Sequence, residues 1–344
     1  MLSIETFQSM YSKASTKEAY GISLTQYFDF LKTTAEEYKP DKNQVRIDIA
    51  NFAQHLRGKN LAPKSVTLKV KAILSYLNFN EVVINKFAIK QLSLDDEAET
   101  DDRIPTQKEL QSIFTHLDVK GKAIYFTMLS TGLRIGDVMR LNVNDVCNGG
   151  IKNQLKVKQK KNGKKVLVFL TNECKSAIEE WLKVRGEWLK KTVKACQQRN
   201  INKSEDDNRL FPLTKVNAHK MWTNALKKAG LEEIDNNTGI RTIRPHSLRK
   251  YFRTACATAG LQQDISECLI GHSNGLNRVY VTNHLSEENL RRAFEKVEPS
   301  LSVYKTIIKE AGTDQLKEQV EIMQERIKEL EKILKHRPLF SSTL

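Results

Sequence analysis

The sequence predicts a mainly α-helical protein with one small β-sheet, divided into an N-terminal helical domain and a larger α+β domain. Three observations predict this. Apolar residues recur at helical spacing along most of the 344 residues, a single pair of alternating runs flanks a tight turn in QLKVKQKKNGKKVLVFL, and the acidic stretch LSLDDEAETDDR interrupts the apolar pattern. The length favours two separate cores over one.

In TKEAYGISLTQYFDFLK and QVRIDIANFAQHL the apolar positions fall on one helical face. PKSVTLKVKAILSYL follows with Pro63 near its start, where a missing N–H removes no helical hydrogen bond. Together these segments form a small helical bundle over residues 1–98. Lys64, Lys69 and Lys71 lie among the polar positions of its last helix, where a solvated face and a track for a phosphate backbone both fit. The acids that follow have the composition of an exposed connector crossed by few contacts, and the domain boundary is placed there. Like charge would turn this connector away from a bound polyanion.

The second domain, residues 104–310, opens with a capping box in which Thr106 precedes a helix and Glu109 stands three residues on. A helical stretch through AIYFTMLSTGLRIGDVMRL gives way to a β-hairpin turning at Lys161, Asn162 and Gly163. From Cys174 to about Asn200 a strongly basic helical pattern runs through Trp181 and Trp188, and NINKSEDDN follows as a loop. KVNAHKMWTNALKKAG, HSLRKYFRTACATAG and ISECLIGH supply further helices. In residues 311–344, Leu316, Val320, Met323, Ile327, Leu330 and Leu334 alternate spacings of four and three, which suits a short coiled coil or an amphipathic helix packed on its own domain.

Lys and Arg total 56 against 41 for Asp and Glu, a formal net charge of +15 that favours polyanionic partners, nucleic acid first, over a merely solubilising surface. Cys147, Cys174, Cys196, Cys256 and Cys268 stand far apart with no CxxC pair, the pattern of reduced thiols rather than of a disulfide framework or zinc site. No apolar run is long enough for a bilayer, and MLSIETFQSM has an early Glu5 and no signal-peptide core. A cytoplasmic location is therefore expected.

Four polar constellations stand at the edges of these elements: Arg134 in TGLRIGDVMRL, Lys161 in QKKNGKK, His246 with Arg249 in RPHSLRK, and His272 ahead of Tyr280 in IGHSNGLNRVY. Singly, each suits a surface ion pair, a solvated turn or a packed ring. As a set they meet the needs of phosphoryl transfer, which are cations around the non-bridging oxygens, an in-line nucleophile and a proton for the leaving oxygen. Two arginines grip phosphate in bidentate fashion and stay charged, and His246 and Arg249, three apart on a helix, share one face.

In this order of motifs, over roughly residues 1–300, the chain resembles the tyrosine recombinase or phage integrase family. The resemblance implies a helical core-binding domain followed by a catalytic domain, together closing on duplex DNA as a C-shaped clamp, with a C-terminal coiled-coil helix beyond. It implies that Arg134 and Arg249 clamp the scissile phosphate, that His246 accepts a proton or binds phosphate, and that His272 donates a hydrogen bond to it. Lys161 would protonate the leaving oxygen. It is preferred over Lys160 because KNGKKVLVFL aligns from it without a gap before the turn, and Lys160 stays open. Tyr280 would attack phosphorus, free a 5′-hydroxyl and hold the 3′-phosphate as an ester, with no metal or other cofactor. Tyr304 in LSVYKTI is a competing nucleophile.

The departures from the family pattern are Asp137 where glutamate is common, Ser247 where aspartate often occurs, and a Tyr280 one residue nearer the GH motif than usual. The implied partners are double-stranded DNA with inverted-repeat half-sites and three further copies of the chain, a homo-tetramer on synapsed DNA at the nucleoid. The segment from Ser286 to Lys309 resembles the tail that relatives pass to a neighbouring protomer. A type IB-like topoisomerase and a catalytically inactive DNA-binding accessory protein are the alternatives.

Overall fold

The structure is a computed structural model that describes residues 1–39, 41–82, 102–147, 149–159, 163, 165–199, 201–235, 238–271 and 286–304. Two compact units divide the chain, Met1–Asp101 with Ile234–Ile240, and Asp102–Glu233 with Arg241–Leu344. The expected heptad helix of 311–344 lies outside the described residues, as does most of the acidic stretch.

The first unit holds α1 (Ile4–Ser9), α2 (Ala14–Leu31), α3 (Lys42–Gly58) and α4 (Pro63–Phe79). Asp41 caps α3 by accepting from the N–H groups of Asn43 and Gln44, and Pro63 opens α4. The core is aromatic, with Phe7, Tyr27, Phe28, Phe52 and Tyr76 buried against Leu24, Ile49 and Ile73. Lys69 donates to Gln26 on α2, so it links two helices of its own bundle.

The second unit holds α5 (Gln107–Thr115), α6 (Val119–Thr131), α7 (Ile135–Val138), α8 (Val143–Val146), strands β1 (Gln154–Lys158) and β2 (Lys165–Phe169), and helices α9 (Asn172–Gln197), α10 (Lys215–Lys228), α11 (Pro245–Thr258), α12 (Gln263–Leu269) and α13 (Glu287–Leu301). Mainly helical with a two-stranded antiparallel sheet, this is the predicted class; Leu155 pairs with Val168 and Val157 with Val166. The capping box forms as expected, Thr106 N–H donating to Glu109 Oε2 and Glu109 N–H to Thr106 Oγ1.

Helix α6 is the hub. Ala123 to Thr131 are all buried, the signature of a helix covered on every side, and α9, α10, α11 and β2 pack around it. Its last turn is tied to the sheet by Ser130, whose hydroxyl donates to Phe169 O and accepts from Thr171 N–H. The predicted continuous helix through TGLRIGDVMRL is corrected here. Gly132, at φ +61, ends α6 in the left-handed region, and Arg134 in extended conformation precedes α7. The physical reason is the glycine, which alone takes that conformation without strain.

The basic helix α9 is a packing arm. Trp181 is buried with its indole N–H on Leu210 O, and Arg185 donates to the carbonyls of Asp207, Arg209 and Leu210 in the following loop. Lys120 and Lys203 stand over the ring of Trp188 at 4.7 and 5.0 Å. Helix α13 docks on its own unit, with Phe294 stacked on Phe169 at 5.3 Å and Leu290, Val297 and Leu301 buried. Among the described residues no helix is long and apolar enough to cross a membrane.

Candidate nucleic-acid cleavage site

Arg134, His246 and Arg249 lie among the described residues of the second unit. Lys161 with its alternative Lys160, His272 and Tyr280 lie outside them.

Arg249, on the inner face of α11 and 5% exposed, is the buried centre. Its Nη1 donates to Gly132 O at 2.6 Å and its Nη2 to Ile270 O at 2.9 Å. The first carbonyl belongs to the TGLR turn, and the second to the residue just before the GH motif. One guanidinium therefore joins motifs far apart in sequence, using two of its five N–H donors among the described residues. Burial, then the charge of Arg134, lowers its pKa to about 10, with Asp137 and Glu267 opposing. It remains a cation at neutral pH, and the effect of Arg134 on it places the two arginines in one electrostatic field.

Both flanking turns require glycine. A Cβ on Gly132 would meet Phe252 Cδ1 at 2.9 Å and Ile270 Cγ2 at 3.1 Å. Gly271, at φ +72, lies so close to the hairpin that a Cβ would come within 2.2 Å of Gln159 Nε2.

His246 stands at the first turn of α11 and keeps an open face to solvent. Its pKa lies below 6.5 because part of the ring is withdrawn from water and because Arg249, Lys250 and Arg244 crowd it with positive charge, opposed by Asp102. A neutral imidazole at pH 7 is a proton acceptor. Ser247, in place of the family's frequent aspartate, is fully buried and accepts from Arg244 N–H at 3.2 Å, closing the helix start.

Several residues of this site escaped the sequence reading. Asp102, 6% exposed, bridges Arg244 at 2.5 Å and Lys250 at 3.7 Å, while Lys250 Nζ also donates to Asp102 O. Arg103 is held by Glu109 and Glu233. This corrects the expectation of an exposed connector at its last two residues; ion pairing within the second unit, with the Asp102 side chain buried, overrides the bland acidic composition. Lys215 of α10 reaches over Gly136, its ammonium 2.8 Å from where a Cβ would sit. His219, one turn along, is held below the ordinary histidine pKa by burial, Lys215 and Arg244. A signal existed for Arg244, which sits two residues before His246 in RPHSLR.

Tyr304 is placed differently. Its N–H donates to Glu173 Oε1 at 2.9 Å, and burial together with the Glu173 carboxylate raises its phenol pKa. Glu173 also accepts from Ser302 Oγ and Val303 N–H.

The site thus gathers several cations around a neutral imidazole, an arrangement suited to holding a phosphate diester and accepting a proton. Residues 104–288 match the family model described as the Phage integrase family. The Tyrosine recombinase XerC of Staphylococcus saprophyticus subsp. saprophyticus is 22% identical over 294 residues, covering 82% of this chain and 88% of the relative. Among solved structures, the Tn1549 transposon integrase in complex with circular intermediate DNA gives a TM-score of 0.55 at 18% identity, covering 85% of this chain and 99% of that one. A lambda integrase tetramer bound to a Holliday junction gives 0.53 at 16% identity, covering 79% and 76%. At such identities the structural likeness concerns the fold.

Proposed function

This chain belongs to the phage integrase family, and from that premise we propose that it is a site-specific DNA recombinase that breaks and rejoins strands through a 3′-phosphotyrosyl bond at Tyr280. The observation that carries the reading is the double hydrogen bond of buried Arg249, which draws the TGLR and GH turns to one point inside the field of Arg134.

In the proposed reaction Arg134 and the remaining N–H groups of Arg249 hold the non-bridging oxygens as charge grows in the transition state. Tyr280 attacks phosphorus in line. Its proton passes to neutral His246, the P–O5′ bond breaks, and the hairpin lysine, Lys161 or Lys160, protonates the leaving 5′-hydroxyl. His272 adds a hydrogen bond to the phosphate. The ester conserves the bond energy, so a second 5′-hydroxyl reverses the step. The positive charge is supplied by side chains, and the proposed reaction is metal-independent. Tyr304 is the weaker candidate because burial, and then the Glu173 carboxylate beside it, oppose a phenolate.

Residues 1–98 serve in this reading as the core-binding domain, 104–310 as the catalytic domain and 311–344 as an assembly helix. The DNA carries inverted half-sites, and strand exchange takes place in a homo-tetramer in the cytoplasm, at the nucleoid. A topoisomerase and an inactive accessory protein are not favoured, since the curated relative is itself a tyrosine recombinase. Affinity comes largely from phosphate neutralisation and falls with added salt.

The test is incubation of wild type and Tyr280→Phe, in EDTA, with a nicked suicide duplex selected from a randomised pool. A covalent adduct that maps to Tyr280 and is absent from the variant is the expected result. An adduct at Tyr304 would overturn the assignment of the nucleophile, and bound but uncut DNA would favour the accessory protein.

A further inference from the structure

Gln159 is the last described residue before Lys160 and Lys161, and it is 1% exposed. Its backbone closes the hairpin connection, the carbonyl accepting from Gly163 N–H at 3.0 Å. Its side chain crosses to the other motif, Nε2 donating to Ile270 O at 3.4 Å. That carbonyl also receives Arg249 Nη2. The amide fits against Gly271 only because Gly271 has no Cβ. Its Oε1 is buried with no hydrogen-bond partner among the described residues.

We propose that Gln159 is a positioning residue for leaving-group protonation, an amide strut that ties the chain just before the hairpin lysine to the carbonyl shared with the arginine that holds the phosphate. The inference rests on the recombinase reading. Three features argue for it over plain core filling. A buried amide is costly where an apolar side chain of like size would fill the space at less cost, so its presence at a hairpin end calls for a polar task. It shares its acceptor with Arg249, so a shift of the strut moves the hairpin relative to the phosphate grip. The unused Oε1 leaves an acceptor for a donor that arrives when the site is assembled on DNA, in keeping with buried polar atoms that wait for a partner at functional sites. Misplacement of a general acid by an ångström slows its step on the order of a hundredfold.

The test separates proton delivery from phosphate binding. Cleavage is timed with the full chain on two selected suicide duplexes, one with the natural oxygen leaving group and one with sulfur at the bridging 5′ position, which departs as a thiolate and needs no proton. Gln159→Met keeps length and volume without the amide, and Gln159→Leu removes more. The expected result is slowing on the order of ten- to a hundredfold on oxygen-linked DNA, with rates near wild type on sulfur-linked DNA and unchanged affinity. Equal slowing on both duplexes overturns the proposal in favour of a structural or phosphate-binding role, and so does a Gln159→Met enzyme as fast as wild type on the oxygen-linked duplex. Should Gln159→Leu fail to fold, Gln159→Met carries the comparison. Wild type that forms no adduct on either duplex would sink the recombinase reading, whatever the variants do.

Discussion

Arg249 and Gly132 stand 117 residues apart in sequence and meet at 2.6 Å, Nη1 on the carbonyl oxygen. The bond fixes where a buried cation points by fastening it to the turn that presents Arg134. Lysine at this position has a charge but no planar fork, so it satisfies one of the two carbonyls and leaves the other unpaired. Arg249→Lys should reduce single-turnover cleavage about 10²–10³-fold, with little change in affinity for duplex measured by salt titration, since that comes from many phosphate contacts.

Gly132→Ala tests the turn itself. The left-handed backbone penalises any Cβ, and this one would press on Phe252 and Ile270, both of which are buried. Strain and overpacking together should cost roughly 2–4 kcal/mol, read as a lower urea midpoint at unchanged slope. A variant as stable as wild type would show that the turn can relax.

The elements that local chemistry dictates were legible in the sequence: the capping box at Thr106, the β-hairpin though not its register, Pro63 at the start of α4, and the apolar faces of α10 and α11. The motifs that hold Arg134, His246 and Arg249 were legible as well. What could not be read was partnership across long separations. Nothing around Asp102 marks it as the counter-ion of Arg244, 142 residues on, and nothing in QLKVKQK marks Gln159 as a strut to Ile270. TGLRIGDV looked continuous because its apolar period survives the break; only the glycine reveals it, and glycine is tolerated within helices often enough to be passed over.

His246 makes a pH prediction whose sign is fixed. Its folded-state pKa is below 6.5, so near pH 6.5 and just below it the unfolded chain binds the proton first, and stability is lost as pH falls from 6.5 towards the folded value. His219 contributes in the same direction. As a proton acceptor His246 should give cleavage an acid limb below pH 6.5. Asp102→Asn removes an anion that opposes the surrounding cations, and the limb should move to lower pH, matched by the His246 imidazole resonance in a proton NMR titration. A limb that moves upward would mean that another group sets it.

Glu173 holds the end of α13 through three bonds, from Ser302 Oγ at 3.0 Å, Val303 N–H at 2.8 Å and Tyr304 N–H at 2.9 Å. Gln107 and Gln111 grip the same stretch from the other side, donating to the carbonyls of Ser302 and Val303. A single carboxylate thus accepts three of the bonds that hold residues 302–304 within the second unit. Hydrogen bonds to a charged group contribute about 1.5–3 kcal/mol, on the order of what burial of the Val303 side chain adds. Glu173→Ala should therefore raise amide hydrogen exchange at 302–304 and expose a cleavage point for protease after Leu301, while α13 stays protected because Leu290, Phe294 and Val297 remain buried. Loss of protection through the whole of α13 would instead mean that the carboxylate, and not the apolar face, holds the helix on its unit.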